Sequence, residues 1–261
     1  MQALSSPAQI GHCINADARA NRPSHAPNTL LIGVPGGRRH LDTPALLLDV
    51  DVLNRNISRM ACFATMNRVQ LRPHVKTHKS IQVAKRQVAE GAVGASCATL
   101  GEAETMVAAG IPGVLLTSPI VTAGKIKRLI ELARHAPPGG VLVVVDHSRN
   151  VADLAIAAAE MTQPLHVLID YAAGYHRTGV ADVHAVLELA QQILGQPTLH
   201  LRGLQAYAGN IQHIAEHEQR AKASADVRTS VRRVIDAAMG RGIAFEIVTG
   251  AGTGSSASRS F

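Results

Sequence analysis

Lysine is scarce in this chain, six residues against twenty arginines, so a lysine set among other polar groups on a strand invites a chemical reading. The stretch Val69-Gln-Leu-Arg-Pro-His-Val-Lys76 alternates apolar and polar residues. As a β-strand it would put Gln70, Arg72, His74 and Lys76 on one face. An amine held inside a fold beside Arg72 and His74 is suited to nucleophilic, Schiff-base chemistry. A solvated lysine on a strand-to-helix loop fits the same spacing, and Pro73 would cost a central strand one ladder hydrogen bond. Further on, an apolar run ends in the polar loop Asp170-Tyr-Ala-Ala-Gly-Tyr-His-Arg177. Arg177 there could neutralise an anionic oxygen or lie on a surface turn. Gln205 and Tyr207 share a face at the end of another run, and a half-buried tyrosine with a satisfied hydroxyl is the plainer reading of that position. The last feature is Thr249-Gly250-Ala-Gly252-Thr253-Gly254-Ser255, whose closely spaced glycines would let backbone N–H groups approach a phosphate. It is neither a dinucleotide fingerprint nor a P-loop, and a flexible turn would look the same.

These residues need a scaffold that brings strand ends together. Apolar β-like runs alternate with helical patterns from about residue 40 onward. The strand candidates are 45–50, 69–76, 94–98, 114–117, 141–146, 165–170, 201–207 and 245–249. Between them the spacing predicts helices over 51–67, 80–90, 100–109, 123–135, 148–161, 181–194 and 214–239. Thr99 with Glu102 three residues on, and Ser148, read as helix N-caps. This βα alternation implies right-handed crossovers and a parallel sheet, with eight strands favouring an α/β barrel over a doubly wound sheet. In either architecture chemistry gathers at the C-terminal ends of the strands.

Composition narrows the function classes. The chain has 261 residues, 46% of them hydrophobic and 17% charged, a globular profile. No apolar run approaches the roughly 18 residues of a membrane span. Aromatic side chains are few (three Tyr, three Phe and no Trp), which argues against reading single-stranded nucleic acid by stacking. The formal charge of +7 is spread along the chain and reads as a solvated basic surface rather than a nucleic-acid footprint. Cys13, Cys62 and Cys97 have no metal-ligand spacing and form no even disulfide set, the usage of reduced thiols in a cytoplasmic protein. Residues 1–40 lack the apolar segment of a secretory signal and read as a mostly irregular extension, leaving 41–261 as the barrel domain.

The segments Ile32-Gly-Val-Pro-Gly-Gly37, Leu41-Asp-Thr-Pro-Ala-Leu46, Arg72-Pro-His-Val-Lys-Thr-His-Lys79, Ala98-Thr-Leu-Gly-Glu-Ala-Glu104 and Gly203-Leu-Gln-Ala-Tyr207 resemble the D-threonine aldolase and D-serine dehydratase-like family. That family lies within the alanine racemase N-terminal domain superfamily of fold type III pyridoxal-phosphate enzymes. The resemblance implies a TIM-type (β/α) barrel of alanine racemase N-terminal type, incomplete here because the family's C-terminal β domain is missing. It implies pyridoxal 5′-phosphate joined to Lys76, the catalytic residue. Arg177 would lie near the ring's phenolic oxygen, Tyr207 close to the cofactor, and Gly250, Gly252, Thr253 and Gly254 would form the phosphate loop. The expected reaction is cleavage of β-hydroxy-D-amino acids, D-threonine to glycine and acetaldehyde, with a D-serine dehydratase-type lyase or a non-catalytic pyridoxal-phosphate-binding barrel as alternatives. By the same resemblance the partners are a small D-amino acid and a second copy in a homodimer, with no nucleic acid and no membrane. The family also implies a divalent metal, Mn²⁺ or Mg²⁺, but its ligands are missing, and none of the thirteen histidines occupies the metal position. Residues 45–50 then match the strand that joins the β domain, leaving seven barrel strands. A chain truncated or frameshifted at its C-terminus, without efficient aldolase activity, is the expectation.

Overall fold

The computed structural model describes residues 28–137, 139–174, 177–252 and 254–255. They divide into two compact units between Val50 and Asp51. The extension predicted over 1–40 lies outside the described residues for its first 27 positions. The rest of the smaller unit holds two 3-10 turns, Thr29–Leu31 and Gly37–His40. Asn28 braces it: its Nδ2 donates to the Asp42 carbonyl at 3.0 Å, and its Oδ1 accepts from the Asp42 N–H at 2.7 Å. The strand predicted over 45–50 does not form among the described residues. Leu46, Leu47 and Leu48 are exposed, and Val50 already begins a helix. A strand exists only against a partner, and this segment has none in the described chain.

The larger unit alternates strands and helices as the sequence predicts. The helices are α1 (Val50–Met66), α2 (Ile81–Ala89), α3 (Leu100–Ala108), α4 (Ala123–His135), α5 (Ser148–Ala157), α6 (Val183–Leu194) and α7 (His217–Met239). The strands are β1 (Ser96–Cys97), β2 (Val114–Leu116), β3 (Val141–Val145), β4 (Leu165–Asp170), β5 (Leu199–Ala206) and β6 (Ile247–Gly250). They form one six-stranded sheet in the order β1 to β6, every neighbour parallel.

Helix starts follow local chemistry. Thr99 Oγ1 accepts from the Glu102 N–H, and Glu102 Oε2 reaches back to the Ala98 N–H at 2.8 Å, nearly the predicted reciprocal cap. Ser148 is not a cap. His147 holds that position, its Nδ1 accepting from the Arg149 N–H, and Ser148 is the first helical residue.

Two apolar layers give the sheet its faces. Val141, Val143 and Val145 of β3, with Val167 and Ile169 of β4, pack with Leu129, Leu154, Ile193 and Val234 from the helices. Leu115, Leu142, Val144 and Leu168 cluster on the other face, with Ile247 against them. The second face is the concave interior. Curling is visible in a hydrogen bond across it: Gln205 of β5 donates to the carbonyl of Thr117, just past β2, at 3.2 Å, skipping β3 and β4. Where β4 meets β5 the register shifts, leaving Arg202 as the extra residue before Gly203. Gly203 has φ +153°, and a Cβ there would run into the backbone of Ile247.

The strand predicted over 69–76 is reduced to a single bridge, His74 with Ser96. The carbonyls of Leu71 and Pro73 accept from the Val93 and Ser96 N–H groups, so the segment lies where a first strand would. Pro73 has no N–H to return, and the chain turns into a 3-10 helix at Val75–Thr77. Among the described residues the barrel is therefore a curled half with six strands rather than seven or eight.

Candidate functional site

The alternation read for residues 69–76 survives the loss of the strand. Val75 is fully buried in the helix-side core, while Arg72 and His74 point to the concave side. His74 is the most constrained of them. Its Nδ1 accepts from the Lys76 N–H at 3.3 Å, and its Nε2 lies 3.2 Å from Thr117 Oγ1. Because Nδ1 is an acceptor, the ring proton sits on Nε2 and is donated to Thr117. Burial, and then the charge of Lys76, push the His74 pKa down to about 4, so the ring is neutral near pH 7.

Lys76 follows on an exposed 3-10 turn. Its Nζ stands 5.9 Å from the centroid of the Tyr207 ring, within cation–π reach. Tyr207 lies just beyond β5 and is 43% exposed. The structure thus brings two of the sequence-predicted residues together at the C-terminal rim, with a free amine above a ring.

Arg177 sits on the loop after β4, and two ladder-like hydrogen bonds pin that loop to the strand end. The Val180 N–H donates to the Asp170 carbonyl at 2.9 Å, and the Ala172 N–H to the Val180 carbonyl at 3.0 Å. Asp146 Oδ2 takes the Gly179 N–H at 3.0 Å. Arg177 is exposed and acts electrostatically on the buried Asp170. Burial raises the Asp170 pKa. Hydrogen bonds from Gln205 and Thr178 and the charge of Arg177 oppose the rise, and Asp146 adds to it. Tyr175 and His176 lie outside the described residues.

The glycine loop follows β6. The Gly254 N–H is held by Gln212 Oε1 at 2.7 Å, and the Gly252 N–H by Ser255 Oγ at 3.1 Å. A Cβ on either glycine would meet the Gln212 side chain within 2.9 Å, so these positions admit a close neighbour only without side chains. Gly250 ends β6 and is exposed, and Thr253 is outside the described residues. These donors suit the oxygens of a phosphate, and Lys76 suits an aldehyde. A group carrying both would find a partner of each kind at the C-terminal ends of the strands, although the Gly252 and Gly254 N–H groups are bonded to Ser255 and Gln212 here. Metal is another matter. Among the described residues no three His, Cys, Asp or Glu side chains are grouped to hold an ion.

Gln212 escapes a motif search, and so does the pairing of Asp170 with Gln205. Gln212 lies in the 3-10 turn Gly209–His213 and carries no chemical signature of its own. Asp170 and Gln205, 4% and 6% exposed, join across β4 and β5 at 2.8 Å. Their signal is a polar residue near the C-terminal end of each strand, where chemistry gathers. Cys97 is no nucleophile: burial, and then Glu102, push its thiol up to about 12.

Residues 48–260 match the family described as alanine racemase, N-terminal domain. The chain belongs to this family. It is 38% identical over 217 residues to the 3-hydroxy-D-aspartate aldolase of Paracoccus denitrificans, covering 82% of this chain and 55% of that one. The D-threonine aldolase of an Arthrobacter species is 36% identical over 215 residues, with coverage of 82% and 56%. Among solved structures, the D-threonine aldolase of Filomicrobium marinum superposes with a TM-score of 0.81 at 37% identity, covering 84% of this chain and 58% of the other. The alanine racemase of Bacillus anthracis, at 18% identity and a TM-score of 0.66 (79% and 51% covered), shares the fold. The chain spans a little over half the length of the relatives it matches. Its nearer relatives are lyases, aldolases before dehydratases, and its curled parallel sheet is of the alanine racemase barrel type. No helix among the described residues is long and apolar enough to cross a membrane.

Proposed function

We propose that this chain carries the pyridoxal 5′-phosphate-binding half of a lyase for β-hydroxy-D-amino acids, of D-threonine aldolase type. The observation that carries the reading is the meeting of Lys76 and Tyr207 at the C-terminal rim of the sheet, Nζ 5.9 Å from the ring centroid. When bound, the cofactor supplies an electron sink for the bond that breaks at Cα. Lys76 would hold it through its amine, and Arg177 would balance negative charge on the ring oxygen. The Gly250, Gly252, Thr253 and Gly254 loop would offer N–H groups to the phosphate in exchange for Gln212 and Ser255, which the Gly254 and Gly252 N–H groups bind here. Tyr207 flanks the amine and limits its directions. In D-threonine cleavage the β-hydroxyl loses its proton, Cα–Cβ breaks to release acetaldehyde, and a proton added at Cα completes glycine.

The test is attachment and then product. Mixing the chain with pyridoxal 5′-phosphate is expected to produce visible absorbance, lost in Lys76→Ala. Borohydride reduction and peptide mass analysis are expected to place the adduct on Lys76. Attachment at another lysine would overturn the assignment. With D-threonine and added Mn²⁺ or Mg²⁺, glycine marks the aldolase, ammonia with a keto acid marks the dehydratase, and attachment without either marks a cofactor-binding barrel.

A further inference from the structure

Lys76 stands on a three-residue turn just past the point where the sheet stops holding the chain, at the Pro73 carbonyl and the His74 bridge. Pro73 contributes no N–H, and the segment makes one bridge instead of a ladder. Val75 is buried, and beyond it side chains add to the hold on the turn. The Lys76 N–H is fixed on His74 Nδ1 at 3.3 Å, His74 Nε2–H on Thr117 Oγ1 at 3.2 Å, and the Thr117 hydroxyl donates in turn to the Cys97 carbonyl at 3.1 Å. Every proton in this series has one direction, so no member is free to turn over. Thr117 also receives Gln205 Nε2 on its carbonyl at 3.2 Å, and the same amide donates to Asp170 Oδ1 at 2.8 Å. Asp170 binds Thr178, the neighbour of Arg177. Two residues that must face one ligand, on segments 101 positions apart, are thus joined beneath it by side chains.

We propose that His74, Thr117 and Gln205 are positioning residues, a buried tie that holds the Lys76 turn and the Arg177 loop at a fixed separation across the concave face. The proposal rests on the cofactor reading above. The effect of the three residues is on how often the amine points at its target, and an error of the order of 1 Å in such placement can cost as much as about a hundredfold in rate.

The experiment follows the rate at which visible absorbance grows when the full chain is mixed with pyridoxal 5′-phosphate, with thermal unfolding as the check on folding. Thr117→Val keeps the shape and removes the hydroxyl, and is expected to slow attachment about tenfold. Thr117→Ser restores the hydroxyl and is expected to return the rate to within about twofold. His74→Asn can still accept the Lys76 N–H at short range but cannot reach Thr117. It is expected to behave like Thr117→Val. A wild-type rate in His74→Asn would mean that His74 only caps its own turn, and would overturn the tie. So would a slow Thr117→Ser. A second measurement needs no cofactor: the His74 Nε2–H proton, followed by NMR, should exchange with solvent about tenfold faster in Thr117→Val. If the wild-type chain takes up no pyridoxal phosphate, the cofactor reading falls, and the tie stands or falls on this exchange rate alone.

Discussion

At the N-terminal ends of the strands, Arg202 donates to Glu246 Oε2 at 2.9 Å and to His166 Nδ1 at 2.7 Å. His200 packs edge-on against His166 with ring centroids 4.8 Å apart and lies 3.5 Å from Glu246 Oε1. Arg72 closes on the Gly113 carbonyl at 3.0 Å. At the C-terminal ends of the same strands, Lys76, Arg177 and Gly250 are exposed, and the polar groups that are bonded lie one layer below them. The two rims differ in what their polar groups bind. The lower rim pairs Arg202 with Glu246 and His166 and stitches β4, β5 and β6, whereas the upper rim buries Gln205 against Asp170 and leaves Lys76 and Arg177 exposed. In a barrel of this kind the first arrangement contributes stability and the second leaves groups for a ligand.

The sharpest break between the rims is Lys76→Ala. Attachment of pyridoxal phosphate should vanish, while stability to urea should change by no more than about 0.5 kcal/mol, since the side chain is exposed. Equal loss of stability would mean that Lys76 is structural. Leu168→Ala removes a fully buried side chain from the small concave core between the rims and should cost about 2–5 kcal/mol, measured by the same unfolding curves. Arg202→Ala leaves Glu246 and His166 without their shared partner and, because Glu246 stays half exposed to water, should cost about 0.5–1 kcal/mol. Cofactor attachment in that variant should keep the wild-type rate at a temperature where the variant is folded. A slowed rate would show that the rims are not separable.

The smallest effect is a pH slope. His74 titrates near 4 when folded and near 6.5 when unfolded, so its unfolded form binds more protons between those values. Stability is therefore whole above about pH 6.5, falls on acidification towards pH 4, and levels below it. His166 at the lower rim is shifted the same way, by burial first and then by Arg202. His74→Gln and His166→Gln should each flatten part of the slope in pH-dependent thermal unfolding. A slope unchanged in both would show that neither ring is held neutral by its surroundings.

Much of this molecule is readable from local pattern. All seven helices fall within a few residues of their predicted spans, because a helix is set by neighbours three and four apart and by caps such as Thr99 and Asp182. The β3 run is equally legible, since a strand buried on both faces is apolar throughout, and β4 shows the same signal over Val167–Ile169 between His166 and Asp170. Residues 69–76 mislead because their period of two is real, yet a ladder also needs donors, and Pro73 lacks one. The run 45–50 misleads for the opposite reason: its composition suits a strand, but a strand takes its hydrogen bonds from a partner that no local pattern names.

The sequence by itself determined the helices, most of the strands, the family and the types of group at the rim: an amine, an arginine, a tyrosine and a run of glycines. Those follow from side-chain chemistry and from spacings of a few residues. Only the tertiary structure decided that Lys76 faces Tyr207, that Gln212 occupies the glycine loop, and that Gln205 reaches Thr117 across the curled sheet. Each of these contacts joins positions 42 to 131 residues apart, which only the tertiary fold makes neighbours.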